Sequence, residues 1–296
     1  MLGVVNLDKP VGPTSHDMVG LMRRLTGTRR IGHAGTLDPL ASGVLPILVG
    51  AATRFSEELT GGRKRYTAVV RLGERSATDD AQGPLSPVDA PLPSDAAVAE
   101  ALQAFVGTFD QRPPVFSARK QGGRTAHRAA RAGAPIDLPP RTVTVHGIDL
   151  LRLERGNGRV DVEIDLRCGP GTYVRSIARD LGDRLGCGGH LHALRRTEAA
   201  GLSVSDGIAP AALESLAQQG RLGEAILPVG DMLPMPRVTL ETDAAWRFVH
   251  GSEQALPDAP TGRIAVFGES GQLLGVGQVE GTVLRPDKVL PAEPAE

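Results

Sequence analysis

The sequence predicts a mixed α/β (α+β) protein in two parts, a large domain over residues 1–230 and a small β-rich module over residues 231–296. Three observations predict this. β-Branched runs alternate with segments of helical spacing as far as about residue 228. The connection Pro228-Val229-Gly230-Asp231-Met232-Leu233-Pro234-Met235-Pro236 is punctuated by prolines and resists both helix and central strand. Beyond it, short strand-like runs follow one another across a glycine-bounded turn. At 296 residues, each part is long enough to bury its own core.

Taken in order, residues 3–7 read as a strand, and Lys9-Pro10-Val11-Gly12-Pro13 as a turn. Thr14 or Ser15 then N-caps a helix that runs to about Arg24. Residues 66–72, 142–153 and 159–168 are predicted strands, while 94–106 and 172–185 have helical spacing. In the module, 262–267 and 273–279 are strands joined through Gly268-Glu269-Ser270-Gly271, and 291–296 is a frayed tail. No internal repeat is visible.

The net charge of −1 excludes a uniformly basic nucleic-acid binder and leaves only local patches for such contacts. Lys and Arg outnumber Asp and Glu by 28 to 24 over residues 1–230, and are outnumbered 5 to 10 over 231–296. Two cysteines, Cys168 and Cys187, form neither a CxxC pair nor a disulfide framework, which suits a reducing, cytoplasmic setting. The start, MLGVVNLDKP, lacks a basic leader, and the longest apolar run, residues 43–52, contains Pro46 and is too short for a bilayer. A protein that is neither exported nor membrane-bound is expected.

The most unusual stretch is Arg30-Ile31-Gly32-His33-Ala34-Gly35-Thr36-Leu37-Asp38-Pro39-Leu40-Ala41-Ser42-Gly43, followed by the apolar residues 44–49. A lone carboxylate sits in an apolar loop, where Pro39 biases Asp38 towards extended backbone and the glycines permit tight turns. One reading is a carboxylate presented rigidly into a pocket; the other is a loop aspartate capping a turn.

This stretch resembles the G-H-x-G-x-L-D-P-x-A-x-G motif of pseudouridine synthases of the TruB type and their relatives in guide-RNA-directed complexes. Leu7-Asp8-Lys9-Pro10-Val11-Gly12 with Ser15 resembles the family's lysine-proline motif, Lys64-Arg65-Tyr66 its tyrosine motif, and Gly171-Thr172-Tyr173-Val174-Arg175 its arginine motif. Leu194-Arg195-Arg196 completes the set, so the resemblance spans about residues 3–200. Only two tyrosines occur in the chain, Tyr66 and Tyr173, and both fall inside these motifs.

The resemblance implies a pseudouridine-synthase fold around a largely antiparallel sheet and a PUA-like RNA-binding module at the C-terminal end. It implies isomerisation of the T-arm uridine of tRNA, position 55, to pseudouridine. The N1 glycosidic bond breaks, the base rotates, and C5 bonds to C1′ before losing its proton. No cofactor or metal is implied. Asp38 becomes the catalytic carboxylate, as nucleophile or as base. Arg175 becomes its cationic partner, against the alternative of a surface helix arginine. Tyr66 is implied as the stacking platform for a flipped base, with Tyr173 and Leu194 lining the same pocket. His33 is implied to enter the RNA loop in place of that base, and Lys9 and Lys64 join the RNA contacts.

Between residues 112 and 141, seven basic residues face one acid, Asp137, a local net charge of +6. This segment coincides with the family's thumb-like insertion, and Arg119, Lys120, Arg124, Arg128 and Arg131 are its expected RNA contacts. Phe116 and His127 stand where family members often carry a tyrosine, and Pro170 where they often carry a polar residue. Cys187, His190 and His192 lack a fourth ligand at zinc spacing, and no second carboxylate motif supports glycosidase chemistry. The other readings are a non-catalytic tRNA chaperone and a guide-RNA-dependent catalytic subunit. A stand-alone monomer is expected.

Overall fold

The computed structural model describes residues 1–117, 120–121, 124–125, 129, 134, 136 and 138–291. The larger part is built on β1 (Gly3–Lys9), β2 (Ile31–His33), β3 (Ala41–Val49), β4 (Lys64–Leu72), the small hairpin of β5 (Glu74–Ser76) and β6 (Leu85–Pro87), and β7 (Gly107–Gln111). The two-residue strands β8 (Lys120–Gln121) and β9 (Arg124–Thr125) pair with each other. Then come β10 (Arg141–Gly156), β11 (Arg159–Cys168), β12 (Gly189–Ala199) and β13 (Leu202–Ser203). The C-terminal part holds β14 (Arg237–Leu240), β15 (Gln254–Ala255), β16 (Gly262–Gly268), β17 (Leu273–Glu280) and β18 (Val283–Val289).

The main sheet has the order β1-β3-β12-β4-β11-β10-β7, with β2 on β3 and β13 on β12. Every pairing in it is antiparallel except β12 with β3. The expected mixed, largely antiparallel fold is therefore present. β4 shows the alternation that generates it: Tyr66, Ala68, Val70 and Leu72 turn inward while their neighbours are partly exposed. Helix α1 (Ser15–Thr26) and the helices Asp95–Gln103 and Val174–Arg184 cover this face with Met22, Leu102, Ile177 and Leu181.

The capping of α1 settles one open choice. Thr14 is the N-cap, closing a capping box in which the Asp17 amide donates to Thr14 Oγ1 at 3.1 Å and the Thr14 amide donates to Asp17 Oδ2 at 2.8 Å. Ser15 is thereby released for another task.

A second sheet, β14-β16-β17-β18-β15, forms the C-terminal part. The proline-rich connection does not run free between the two. Val229 and Leu233 are buried in a cluster that joins Val4, Val44 and Phe55 of the large part to Phe267, Val276 and Leu290 of the small one. Among the described residues, no helix is long and apolar enough to cross a membrane.

Candidate active site

Asp38 lies on the loop between β2 and β3, and almost every residue around it is tied down. Ser15 Oγ donates to the Leu37 carbonyl at 2.9 Å and accepts from the Leu37 amide at 2.8 Å, so one buried hydroxyl grips both faces of the preceding residue. The Gly12 amide donates to the Pro39 carbonyl at 2.8 Å, and the Ala41 amide to the Asp38 carbonyl at 3.0 Å. Arg196 donates to the carbonyls of Gly35 at 2.9 Å and Val44 at 2.7 Å, closing the loop against β3. At Gly43, with φ 101°, an added Cβ would lie 2.2 Å from the Arg196 carbonyl, so only glycine fits this parallel crossing.

The helix Val174–Arg184 delivers the opposite charge. Arg175 Nε lies 3.0 Å from Asp38 Oδ2, and Arg175 Nη1 lies 3.7 Å from Asp80 Oδ2. The guanidinium also donates to the carbonyls of Phe116 at 2.9 Å and Thr78 at 3.3 Å, which fixes its rotamer. Gln111 sets the helix entrance, its side-chain amide bonding both the amide and the carbonyl of Tyr173. Asp80 is held in turn by Thr78 Oγ1 at 2.6 Å and the Gln82 amide at 3.0 Å. Arg175 is buried, whereas the Asp38 side chain is 40% exposed. A carboxylate on a rigid loop, oriented by a buried cation and open on one side, is placed to meet an incoming electrophile or proton.

Tyr66 is buried on β4, directly across from Arg196 on β12. Burial raises the phenol above its ordinary value, while the Arg196 cation and its hydrogen bond pull the other way. Leu194 pairs with Ala41 of β3 and Ala68 of β4, three residues from Asp38 and two from Tyr66, so these expected pocket residues meet at the β3-β12-β4 junction. His33, at the end of β2, is half-buried; burial and the nearby Arg196 lower its pKa, and its Nδ1 has no hydrogen-bond partner among the described residues.

The two lysines are placed otherwise than the motif reading expects. Lys9 is fully buried and its ammonium donates to the Pro10 and Pro13 carbonyls, both at 2.8 Å. Lys64 donates to the Thr60 and Gly62 carbonyls at 2.7 and 2.8 Å, closing the C-terminal end of the short helix Ser56–Thr60. Both cations are spent on backbone oxygens rather than held out for phosphates. Arg119, Arg128, Arg131 and His127 lie outside the described residues, and Lys120 and Arg124 enter only through the backbone pairing of β8 with β9.

Burial, with Arg196 adding to it, lowers Lys9 and Lys64 to about 8 from 10.5; Asp38 opposes this at Lys9. Below about pH 8 both states are protonated and the folded chain bears the full burial cost. Between about 8 and 10.5 only the unfolded chain keeps these protons, so folding stability rises with pH. Relative to Lys9→Met, the wild type should gain on the order of 1–3 kcal/mol across that window. Denaturant unfolding at both ends checks this, and parallel pH curves for the two proteins would refute it.

Two residues that the motif reading left out of the site enter it by geometry. Arg196 is 1% exposed and sits on the inward face of β12, the face where a charge is least expected; strand alternation from Leu194 already points it there. Asp80 is one of two adjacent acids in a turn, and nothing in sequence separates it from Asp79, which instead pairs with Arg179 at 2.9 Å.

Two clefts border the junction of the sheets, and neither is lined by Asp38. A carboxylate whose side chain is 40% exposed can be reached by a reacting group carried on a large molecule. The site is thus an arginine-bridged aspartate beside a buried tyrosine, on an antiparallel sheet with one parallel pairing. The same fold occurs in the crystal structure of a Cbf5-Nop10-Gar1 complex (TM-score 0.74, 27% identity, 97% of this chain and 84% of that one). It also occurs in an H/ACA RNP bound to a substrate RNA containing 2'-deoxyuridine (TM-score 0.74, 25% identity, 98% and 85%).

Residues 23–174 match the family described as TruB family pseudouridylate synthase (N terminal domain). Residues 175–234 match the tRNA pseudouridylate synthase B C-terminal domain, and 236–290 the C-terminal domain of pseudouridine synthase II TruB. The chain is similar to the tRNA pseudouridine synthase B of Acaryochloris marina (41% identity, 99% of this chain and all of the relative). It is likewise similar to those of Synechocystis (40%, 98% and 100%) and Ralstonia pickettii (38%, 97% and 94%). The chain belongs to the TruB family.

Proposed function

We propose that this protein is a tRNA pseudouridine synthase that isomerises the T-arm uridine, position 55, with Asp38 as its essential carboxylate. The observation that carries the reading is the 3.0 Å contact of Arg175 with Asp38, at the head of a loop anchored on both sides. Asp38 attacks the ribose or base, or removes a ribose proton. The N1–C1′ bond breaks, the base rotates, C5 bonds to C1′, and the proton lost from C5 is balanced by one gained at N1. The reaction is redox-neutral and needs only positioned acid-base groups. Tyr66, across the strand pair from Arg196, serves as the stacking platform for the flipped base.

The names of the relatives support tRNA as the substrate. The half-buried His33 next to the loop fits a side chain that fills the gap left by the base. The enzyme acts alone as a cytoplasmic monomer, and its module from residue 231 is a PUA-like RNA-binding domain that helps seat the tRNA.

The test is position-by-position mapping of pseudouridine in an unmodified tRNA transcript after incubation with the purified protein. Conversion confined to the T-arm uridine is expected. Tight binding without conversion would replace this reading with the chaperone or the guide-dependent one.

A further inference from the structure

Between Asp17 and Glu57 the chain carries five arginines, Arg23, Arg24, Arg29, Arg30 and Arg54, and a single carboxylate, Asp38. Asp38 is already matched by Arg175. Four of the five arginines gather where α1 ends and β2 begins, and all four are exposed. Arg54, the fifth, is committed to the Val289 carbonyl.

The patch stands on ordered backbone. Gly27 closes α1 in the left-handed conformation, φ 68°, with its amide on the Arg23 carbonyl. Thr26 Oγ1 donates to the Met22 carbonyl at 2.7 Å, the Arg30 amide to Thr28 Oγ1 at 3.3 Å, and the Ile31 amide to the Arg29 carbonyl at 3.0 Å. The backbone beneath the four cations is thus ordered before anything binds, and only the arginine side chains remain to be ordered.

Several other exposed arginine side chains are matched internally, Arg65 to Asp165 and Glu198, Arg155 to Asp95, Arg221 to Glu224, and Arg285 to Glu253 and Glu280. The exposed Arg63 and Arg247 pair with no carboxylate among the described residues, but each stands alone in the sequence or beside matched groups. Among the described residues no carboxylate pairs with Arg23, Arg24, Arg29 or Arg30, and the one side-chain bond there runs from Arg30 Nε to Thr53 Oγ1. The α1 dipole accounts for Arg23 and Arg24 in the last helical turn. It does not account for Arg29 and Arg30, which lie beyond the cap. No large apolar side chain between residues 12 and 84 is exposed, so the patch itself offers charge, with the exposed Met1 and Leu2 as its apolar neighbours across Gly50.

Clustered on ordered backbone and unmatched by any carboxylate among the described residues, these cations fit a polyanion. β2 leads from Arg30 to His33 over roughly 10 Å of strand, and Asp38 follows five residues later. We propose that Arg23, Arg24, Arg29 and Arg30 form a phosphate-binding surface for the same RNA whose uridine enters at Asp38, distinct from the thumb-like segment. This rests on the tRNA reading above. Such contacts fix the register of the RNA without reading its bases.

The test is the salt dependence of binding of an unmodified tRNA transcript by wild type, by R29Q/R30Q, and by R152Q/R221Q. The last removes the same net charge from arginines already paired with Glu154 and Glu224. R29Q/R30Q should reduce the slope of log affinity against log salt by about 0.7–0.9 for each phosphate that it leaves unneutralised. Its thermal unfolding should match that of the wild type, because both side chains are exposed and carry no ion pair. The paired control should keep the wild-type slope. An unchanged slope in R29Q/R30Q, or an equal reduction in the control, overturns the proposal. Pseudouridine mapping on the same transcript keeps the two readings apart. A wild type that isomerises while R29Q/R30Q keeps its slope defeats the patch alone, and a reduced slope without isomerisation defeats the catalytic reading alone.

Discussion

Asp38→Asn is expected to lower the single-turnover rate of pseudouridine formation by at least about 10⁴-fold, the scale seen when a nucleophile or obligatory base is removed. Binding should hardly change. The amide keeps the size of the carboxylate and can still accept from Arg175, and the loop is anchored by Ser15, Gly12 and Arg196 through backbone groups that the substitution leaves alone. Because the Asp38 side chain is 40% exposed, its charge contributes little to folding, and thermal unfolding should shift by no more than about 1 kcal/mol. Quench-flow at saturating tRNA, with binding measured separately, decides the matter. A variant that retains a tenth of the wild-type rate would remove Asp38 from the chemistry and leave it as a turn residue.

The Asp38 loop was the most legible part of the sequence because its constraints are local. Pro39 and the flanking glycines limit the backbone of residues 35–43 whatever packs around them, and the strand expected over residues 66–72 lies within β4. Strand β11 falls on residues 159–168 as expected, since its β-branched run ends at tight turns on both sides. The helices were less well bounded. The stretch 94–106 shortens to Asp95–Gln103, since the chain turns through Phe105 and Val106 into β7.

What the sequence hid depends on distant partners. Lys9 and Lys64 are the exception, hidden by local turns: they carry the charge of RNA contacts, but their ammonium groups donate to carbonyls one to four residues away in the chain. Ser15 looked interchangeable with Thr14 as a cap until Leu37, 22 residues away, arrived as its partner. Asp80 gains a place only when the helix Val174–Arg184 lays Arg175 beside it. Nor does the proline-rich connection announce that Val229 and Leu233 seal one core shared by two sheets.

Arg175→Met should cost both activity and stability, and the two effects have separate origins. The buried guanidinium satisfies four groups at once: Asp38 Oδ2, Asp80 Oδ2 and the carbonyls of Thr78 and Phe116. Methionine fills much of the same volume but leaves Asp80, which is 4% exposed, without its cation. Removing one partner of a buried pair typically costs about 3–5 kcal/mol. Part of this is offset here, because Thr78 Oγ1 and the Gln82 amide still hold Asp80 Oδ1. The Asp38 carboxylate would survive in solvent but lose its orientation, so the single-turnover rate should fall by about 10²–10⁴-fold while tRNA affinity holds. Pairing Arg175→Met with Asp80→Asn isolates the structural share. If the neutral amide at position 80 recovers stability but not rate, Arg175 acts on the reaction through Asp38. Recovery of both would reduce Arg175 to a buried counter-ion, and a Met variant with wild-type rate would remove the 3.0 Å contact from the mechanism altogether.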